Sequence, residues 1–148
     1  YHHHMGTVIE TENETTRLIE STNDNVKLLI DTGHMLFAKG NSVELAKNFS
    51  ERLIHVHCKD IRKKILDNSL KNDSTFRQAF LDGAFTVPGD GCIDYKPFLK
   101  VLKDNNYEGW LVVEAEQDPS KANPFKYAKI GYNYLSKTAM ECGFDIIS

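Results

Sequence analysis

Cysteine is scarce in this sequence of 148 residues, and its placement excludes more than its number does. Cys58, Cys92 and Cys142 are odd in count, lie far apart and form no CxxC pair, which argues against a disulfide framework and against a zinc ribbon. Long apolar runs are missing too. No stretch approaches the roughly 18–20 residues that a membrane span requires, and no signal-peptide pattern is visible, so a cytosolic protein is expected. Excess positive charge is also lacking. The net charge is −3, and the one basic run, Arg62-Lys63-Lys64, reads most simply as a solvated loop after a strand. Neither nucleic acid nor an anionic membrane is an expected partner. The glycines of residues 85–91 (Phe-Thr-Val-Pro-Gly-Asp-Gly) have neither phosphate-loop spacing nor a Rossmann fingerprint, leaving a tight turn or a loop over a site.

What is present is a strand followed by a helix, repeated. Residues 27–31, 53–57 and 110–114 are strand-sized runs, and the two that are nearly all apolar suit a sheet covered on both faces. A fourth strand would end in Tyr1-His2-His3-His4. Between them lie helical signals. Thr11 and Glu14 have capping-box spacing, and Asn41 with Glu44 opens a segment carrying Leu45, Ala46 and Phe49. Phe76, Ala79 and Phe80 mark another helix, and Asp94 caps one whose buried side is Phe98, Val101 and Leu102. The last helix runs from Asn123 and Pro124 to Gly143, with Phe125, Ala128, Tyr132, Leu135 and Ala139 as its stripe. Strands alternating with helices predict an α/β fold with a parallel sheet. The chain forms one domain, residues 1–148, and is too short for a closed (β/α)8 barrel of about 250 residues.

All six histidines, His2, His3, His4, His34, His55 and His57, fall at expected C-terminal strand ends, as do Asp31, Glu114 and Glu116. In parallel α/β sheets and barrels those ends build the active site. Alternation puts His55, His57 and Lys59 on one face and turns Val56 and Cys58 toward the helices. Likewise Glu114 and Glu116 share a face, and His2 and His4 share one from which His3 points away. Taken singly, Asp31 could be a cap and His57 a core histidine. A carboxylate ending an apolar strand, Glu114, is expensive to bury unless paired or metal-bound. Together they point to one divalent ion held by nitrogen and oxygen, such as Mn2+, Co2+, Mg2+ or Zn2+. The opening histidines read equally well as an expression-tag remnant, in a chain that starts mid-protein or carries added residues.

Several segments, in order, carry a family resemblance: residues 1–7 (Tyr-His-His-His-Met-Gly-Thr), 31–34 (Asp-Thr-Gly-His), 55–62 (His-Val-His-Cys-Lys-Asp-Ile-Arg), 85–91, 109–119 (Gly-Trp-Leu-Val-Val-Glu-Ala-Glu-Gln-Asp-Pro) and 122–124 (Ala-Asn-Pro). The chain resembles the inosose dehydratases of the xylose-isomerase-like barrels. The resemblance implies about four βα units, the C-terminal half of a (β/α)8 barrel, with the opening histidines native and ending strand five. It implies metal ligands Asp31, His57 and Glu114, with His2 or His4 where related epimerases use a Glu. It further implies substrate contacts from His2, His34, Arg62 and Glu116, with Arg62 one position nearer the metal histidine than in the epimerases. Glu114, His34, His4 and Lys59 are the candidates for proton transfer. The implied activity removes water from 2-keto-myo-inositol, a cyclic polyol ketone, with Mn2+ or Co2+ and, in the family's description, glutathione. A sugar isomerase or 3-epimerase is the rival. Another is a half-barrel that is inactive until it meets the missing N-terminal half or a second copy.

Overall fold

The structure, a computed structural model, describes residues 1–147. Three parallel strands, β1 (Leu28–Asp31), β2 (Leu53–Cys58) and β5 (Trp110–Val113), form the sheet in the order β1-β2-β5. The register sets Asp31 opposite His57 and His57 opposite Val112, so the three strand ends lie level. The expected fourth strand is reduced to one parallel bridge, His2 to Leu29, with the Leu29 N–H donating to the Tyr1 carbonyl. Beyond it the ladder stops, because the Asp31 N–H donates to the His3 imidazole (3.2 Å) instead of to a carbonyl.

Helices cover the outer face. After α1 (Glu12–Glu20), whose Thr11–Glu14 capping box forms as expected, come α2 (Thr32–Phe37) and α3 (Ser42–Asn48). The 32–34 segment, expected as a loop turn, is the start of α2, because the Asp31 carboxylate caps it. A separate antiparallel pair, β3 (Asp60–Ile61) with β4 (Phe85–Thr86), frames α4 (Lys63–Lys71) and α5 (Phe76–Leu81). The Arg62-Lys63-Lys64 run is therefore the start of a helix, not a loop. Leu66 buries its other side in a cluster with Phe37, Ile61, Ala79, Ala84 and Phe85.

The main core packs β1 and β2 against α3, α6 (Tyr95–Asp104) and α7 (Pro124–Glu141) through Leu28, Ile30, Val56, Cys58, Leu45, Phe98, Leu99, Leu102, Leu135 and Ala139. On α6 the buried stripe is Tyr95, Phe98, Leu99 and Leu102, and Val101 is only half-buried. On α7 the stripe is Gly131, Leu135, Thr138 and Ala139, whereas Phe125 and Tyr132 are exposed. The helix turns this way because Gly131 seats it directly on the sheet: a Cβ there would lie 2.5 Å from Val113 Cγ1. The inner face of the sheet stays open, and Trp110 on it is 74% exposed. Among the described residues no helix is long and apolar enough to cross a membrane.

Leu99 is fully buried at the contact between α6 and the sheet. Leu99→Ala is expected to cost about 2–5 kcal/mol in urea unfolding. A loss below about 1 kcal/mol would mean that α6 is not packed on this core.

Candidate metal centre

Four atoms converge where the sheet ends: His2 Nε2, Asp31 Oδ2, His57 Nδ1 and Glu114 Oε2. Asp31 Oδ2 lies 3.6 Å from His2 Nε2 and 3.7 Å from His57 Nδ1, and Glu114 Oε2 lies 2.9 Å from His57 Nδ1. All four are buried, and none makes a well-formed hydrogen bond among the described residues, although Lys59 Nζ lies 3.1 Å from both Asp31 Oδ2 and Glu114 Oε2. Polar atoms do not normally gather in a protein interior without partners. Atoms arranged to share a cation do, and this donor set of two imidazoles and two carboxylates suits a borderline or hard divalent ion. Asp31, His57 and Glu114 bring their ligand atoms within 4.8 Å of one another, and His2, Asp31 and His34 form an overlapping group.

Asp31 serves two elements with two oxygens. Its Oδ1 accepts the His34 N–H (2.9 Å) as the cap of α2, and Oδ2 remains for the centre. The cap and the candidate ligand are one residue. His3 sets the backbone from below. Its ring is buried, and burial drives its pKa down to about 3, so the neutral imidazole can accept the Asp31 N–H.

Lys59, completely buried, reaches into the same space. Its Nζ lies 3.1 Å from Asp31 Oδ2, 3.1 Å from Glu114 Oε2, 2.5 Å from Glu116 Oε2 and 2.8 Å from His34 Nε2. Burial opposes its charge, but Asp31, Glu116 and Glu114 outweigh burial and raise its pKa. Burial likewise pushes both buried carboxylates up, and it loses. Contacts with His2 and His57 and the charge of Lys59 hold Asp31 well below the usual range. The His34 hydrogen bond and Lys59 hold Glu116 at about 2. Burial lowers the pKa of His34, and the Asp31 contact raises that of His57.

Strand alternation accounts for His57 and Lys59, but not for Glu116. The ladder ends at Val113, and Glu116 swings inward through a left-handed backbone (φ 45°). His4 stands over this group, its Nε2 3.8 Å from Glu116 Oε1 and its ring centroid 3.7 Å from that of His34. His55 lies mid-strand below His57 and joins none of these ligand groups. Arg62 sits apart from the four converging atoms. Its guanidinium donates to Asp90 Oδ2 (2.7 Å), the Gly83 carbonyl (2.8 Å) and Thr86 Oγ1 (3.1 Å), tying down the 85–91 segment. Sequence reasoning missed Thr32 and Tyr95, which fix the Lys59 main chain: Thr32 Oγ1 donates to the Lys59 carbonyl (2.7 Å), as does the Tyr95 hydroxyl (3.0 Å). Thr32 stood in a polar motif that could have flagged it, whereas Tyr95 gave no signal beyond a core aromatic.

A parallel sheet backed by helices, with ligand-type side chains at its C-terminal ends, defines about half of a (β/α)8 barrel of the metal-site kind. The chain belongs to the xylose isomerase-like TIM barrel family, whose model matches residues 1–138. It is 47% identical over 148 residues to the rhizopine catabolism protein MocC of Rhizobium meliloti, covering 100% of this chain and 46% of that protein. To the inosose dehydratase of Clostridium botulinum (strain Eklund 17B / Type B) it is 49% identical over 140 residues, covering 94% and 47%. The chain therefore spans about half the length of the curated relatives it matches. Among solved structures, the IolI protein with a binding zinc atom superposes with a TM-score of 0.55 at 23% identity, covering 90% of this chain and 42% of that one.

Because the folded-state pKa of His3 lies near 3, below its ordinary 6.5, the unfolded chain binds a proton that the folded chain refuses between those values. Stability of EDTA-treated protein should therefore be fully present above pH 6.5 and fall as pH drops from there toward 3. His3→Gln, which can still accept the Asp31 N–H, should flatten that slope in urea titrations run at several pH values. An unchanged slope would mean that His3 is not held neutral.

Proposed function

We propose that the complete barrel carrying this sequence is a metal-dependent dehydratase that removes water from 2-keto-myo-inositol to give a trihydroxycyclohexane-1,2-dione. The convergence of two imidazole nitrogens and two carboxylate oxygens, none with a well-formed hydrogen bond, supports the metal dependence. The substrate rests on the identity to inosose dehydratases, which is spread over nearly the whole chain. Asp31, His57 and Glu114 would hold the ion, with His2 as fourth ligand. His2 is preferred to His4 because its Nε2 is buried without a partner beside Asp31. Mn2+ or Co2+ suits the nitrogen and oxygen set. Glutathione enters only through the family's description, and no residue here is assigned to it.

A divalent ion held by Asp31, His57, Glu114 and His2 would supply polarisation of the ketone and so acidify the proton on the neighbouring carbon. The chain's own residues then move the protons. His4 donates through Nδ1 to the Met5 carbonyl (2.7 Å), which leaves the Nε2 lone pair facing the cleft as the base. Lys59, an ammonium hydrogen-bonded to Glu116, is the proton source for the departing hydroxyl group, and Glu116, held ionised, orients it. His34 and Glu116 contact substrate oxygens, His2 borders them as a ligand, and Arg62 acts at the rim. The open inner face of the half-barrel is closed by the remaining half or by a second copy, and the enzyme works in the cytoplasm.

His2→Ala should weaken Mn2+ binding by roughly 100-fold or more in isothermal titration, since losing even an outer-shell partner costs about 10–100-fold. His4→Ala should leave binding within a few-fold and abolish turnover in the complete barrel. The reverse pattern would make His4 the ligand. Wild-type turnover is followed by the absorbance of the conjugated enol product. An epimerase would give no such band, and a Glu114→Ala barrel that keeps wild-type rate and metal content would sink the proposed site.

A further inference from the structure

Beside the four converging atoms lies a second set of ligand-type side chains, His4, His34 and Glu116, whose ligand atoms also fall within 4.8 Å of one another. Two adjacent sets sharing a mouth are what a two-ion centre presents, with ions about 3.5–4 Å apart. The place between the sets is filled by this chain itself. Lys59 Nζ contacts a carboxylate oxygen of Asp31, Glu114 and Glu116 and Nε2 of His34, and so bridges both sets. Its approach is built into the fold. Thr32 and Tyr95 fix its main chain, and Gly33 leaves room for its stem: a Cβ at Gly33 would lie 2.7 Å from Lys59 Cγ.

We propose that Lys59 is a built-in substitute for a second divalent ion and keeps the centre mononuclear. This rests on the metal site proposed above. The charges support it: three carboxylates, Asp31, Glu114 and Glu116, are matched by one divalent ion plus one ammonium, with nothing left over. A second divalent ion alongside the ammonium would overcharge the pocket. Removing the ammonium leaves a surplus negative charge next to His4, His34 and Glu116, with a vacated space between them. Lys59 is here a positioning residue for both sets, and its loss should change how many ions bind, not only how fast the enzyme turns over.

The test uses this 148-residue chain and MnCl2 alone as the probe, with stoichiometry from titration calorimetry and metal analysis and ion spacing from Mn2+ electron paramagnetic resonance. The wild type should bind one ion with an uncoupled spectrum. Lys59→Met should bind two with an exchange-coupled spectrum, and Lys59→Met/Glu116→Gln should return to one. Lys59→Gln, which keeps a polar head among the carboxylates, is measured in parallel and should also bind two. A Lys59→Met chain that folds only when MnCl2 is added, and then holds two coupled ions, supports the inference. One ion in folded Lys59→Met and Lys59→Gln, two uncoupled ions, or failure of both to fold at saturating MnCl2 overturns it and leaves the one-metal site standing. A wild-type chain that binds no Mn2+ removes that site and this inference together.

Discussion

Three carboxylates and one buried ammonium meet at the C-terminal end of a short parallel sheet, and the two fully buried groups among them, Asp31 and Lys59, depend on each other to stay ionised. Burying an isolated charge costs several kcal/mol. Asp31 and Lys59, both fully buried, are held charged by each other, by Glu114 and Glu116, and by the imidazoles around them. Much of the local fold follows from that balance. The β1 ladder stops at Asp31 because His3 takes its N–H, and α2 starts there because the same residue's second oxygen caps it. Tyr95, whose ring belongs to the main core, spends its hydroxyl on the Lys59 carbonyl. The apolar core and the polar centre are thus joined through one side chain.

The parts of this arrangement legible in the sequence were those governed by period and polarity. Short apolar runs gave the three strands, and alternation along β2 correctly turned Val56 and Cys58 to the helices and His57 and Lys59 to the site. Position at the strand ends singled out Asp31, His57 and Glu114 as a joint metal site, family resemblance matched them to ligands and supplied the substrate, and the structure brings the three together. What escaped was short or non-periodic. The six residues of α2 contain a glycine and too few turns to show a stripe. In α4 the lysines at the start hid the apolar residues Ile65 and Leu66 behind them. Glu116 reaches the centre through a left-handed residue, a backbone choice that no side-chain pattern encodes. On α7 the buried face turned toward Gly131, because close approach to the sheet outweighed the larger aromatics.

The donor set supports a division of labour within the barrel. His2, Asp31, His57 and Glu114, with Lys59, His34 and Glu116 beside them, all come from this half.

The open inner face has one further consequence. The sequence contains a single tryptophan, Trp110, and it stands on that face, exposed, in register with His55 of β2. Its indole, excited at the red edge of its absorption where the six tyrosines do not absorb, is a native optical reporter with no second tryptophan to confuse it. Any polypeptide that closes the barrel must withdraw it from water, so closure can be followed by the colour of its emission and by its shielding from dissolved quenchers, without a label.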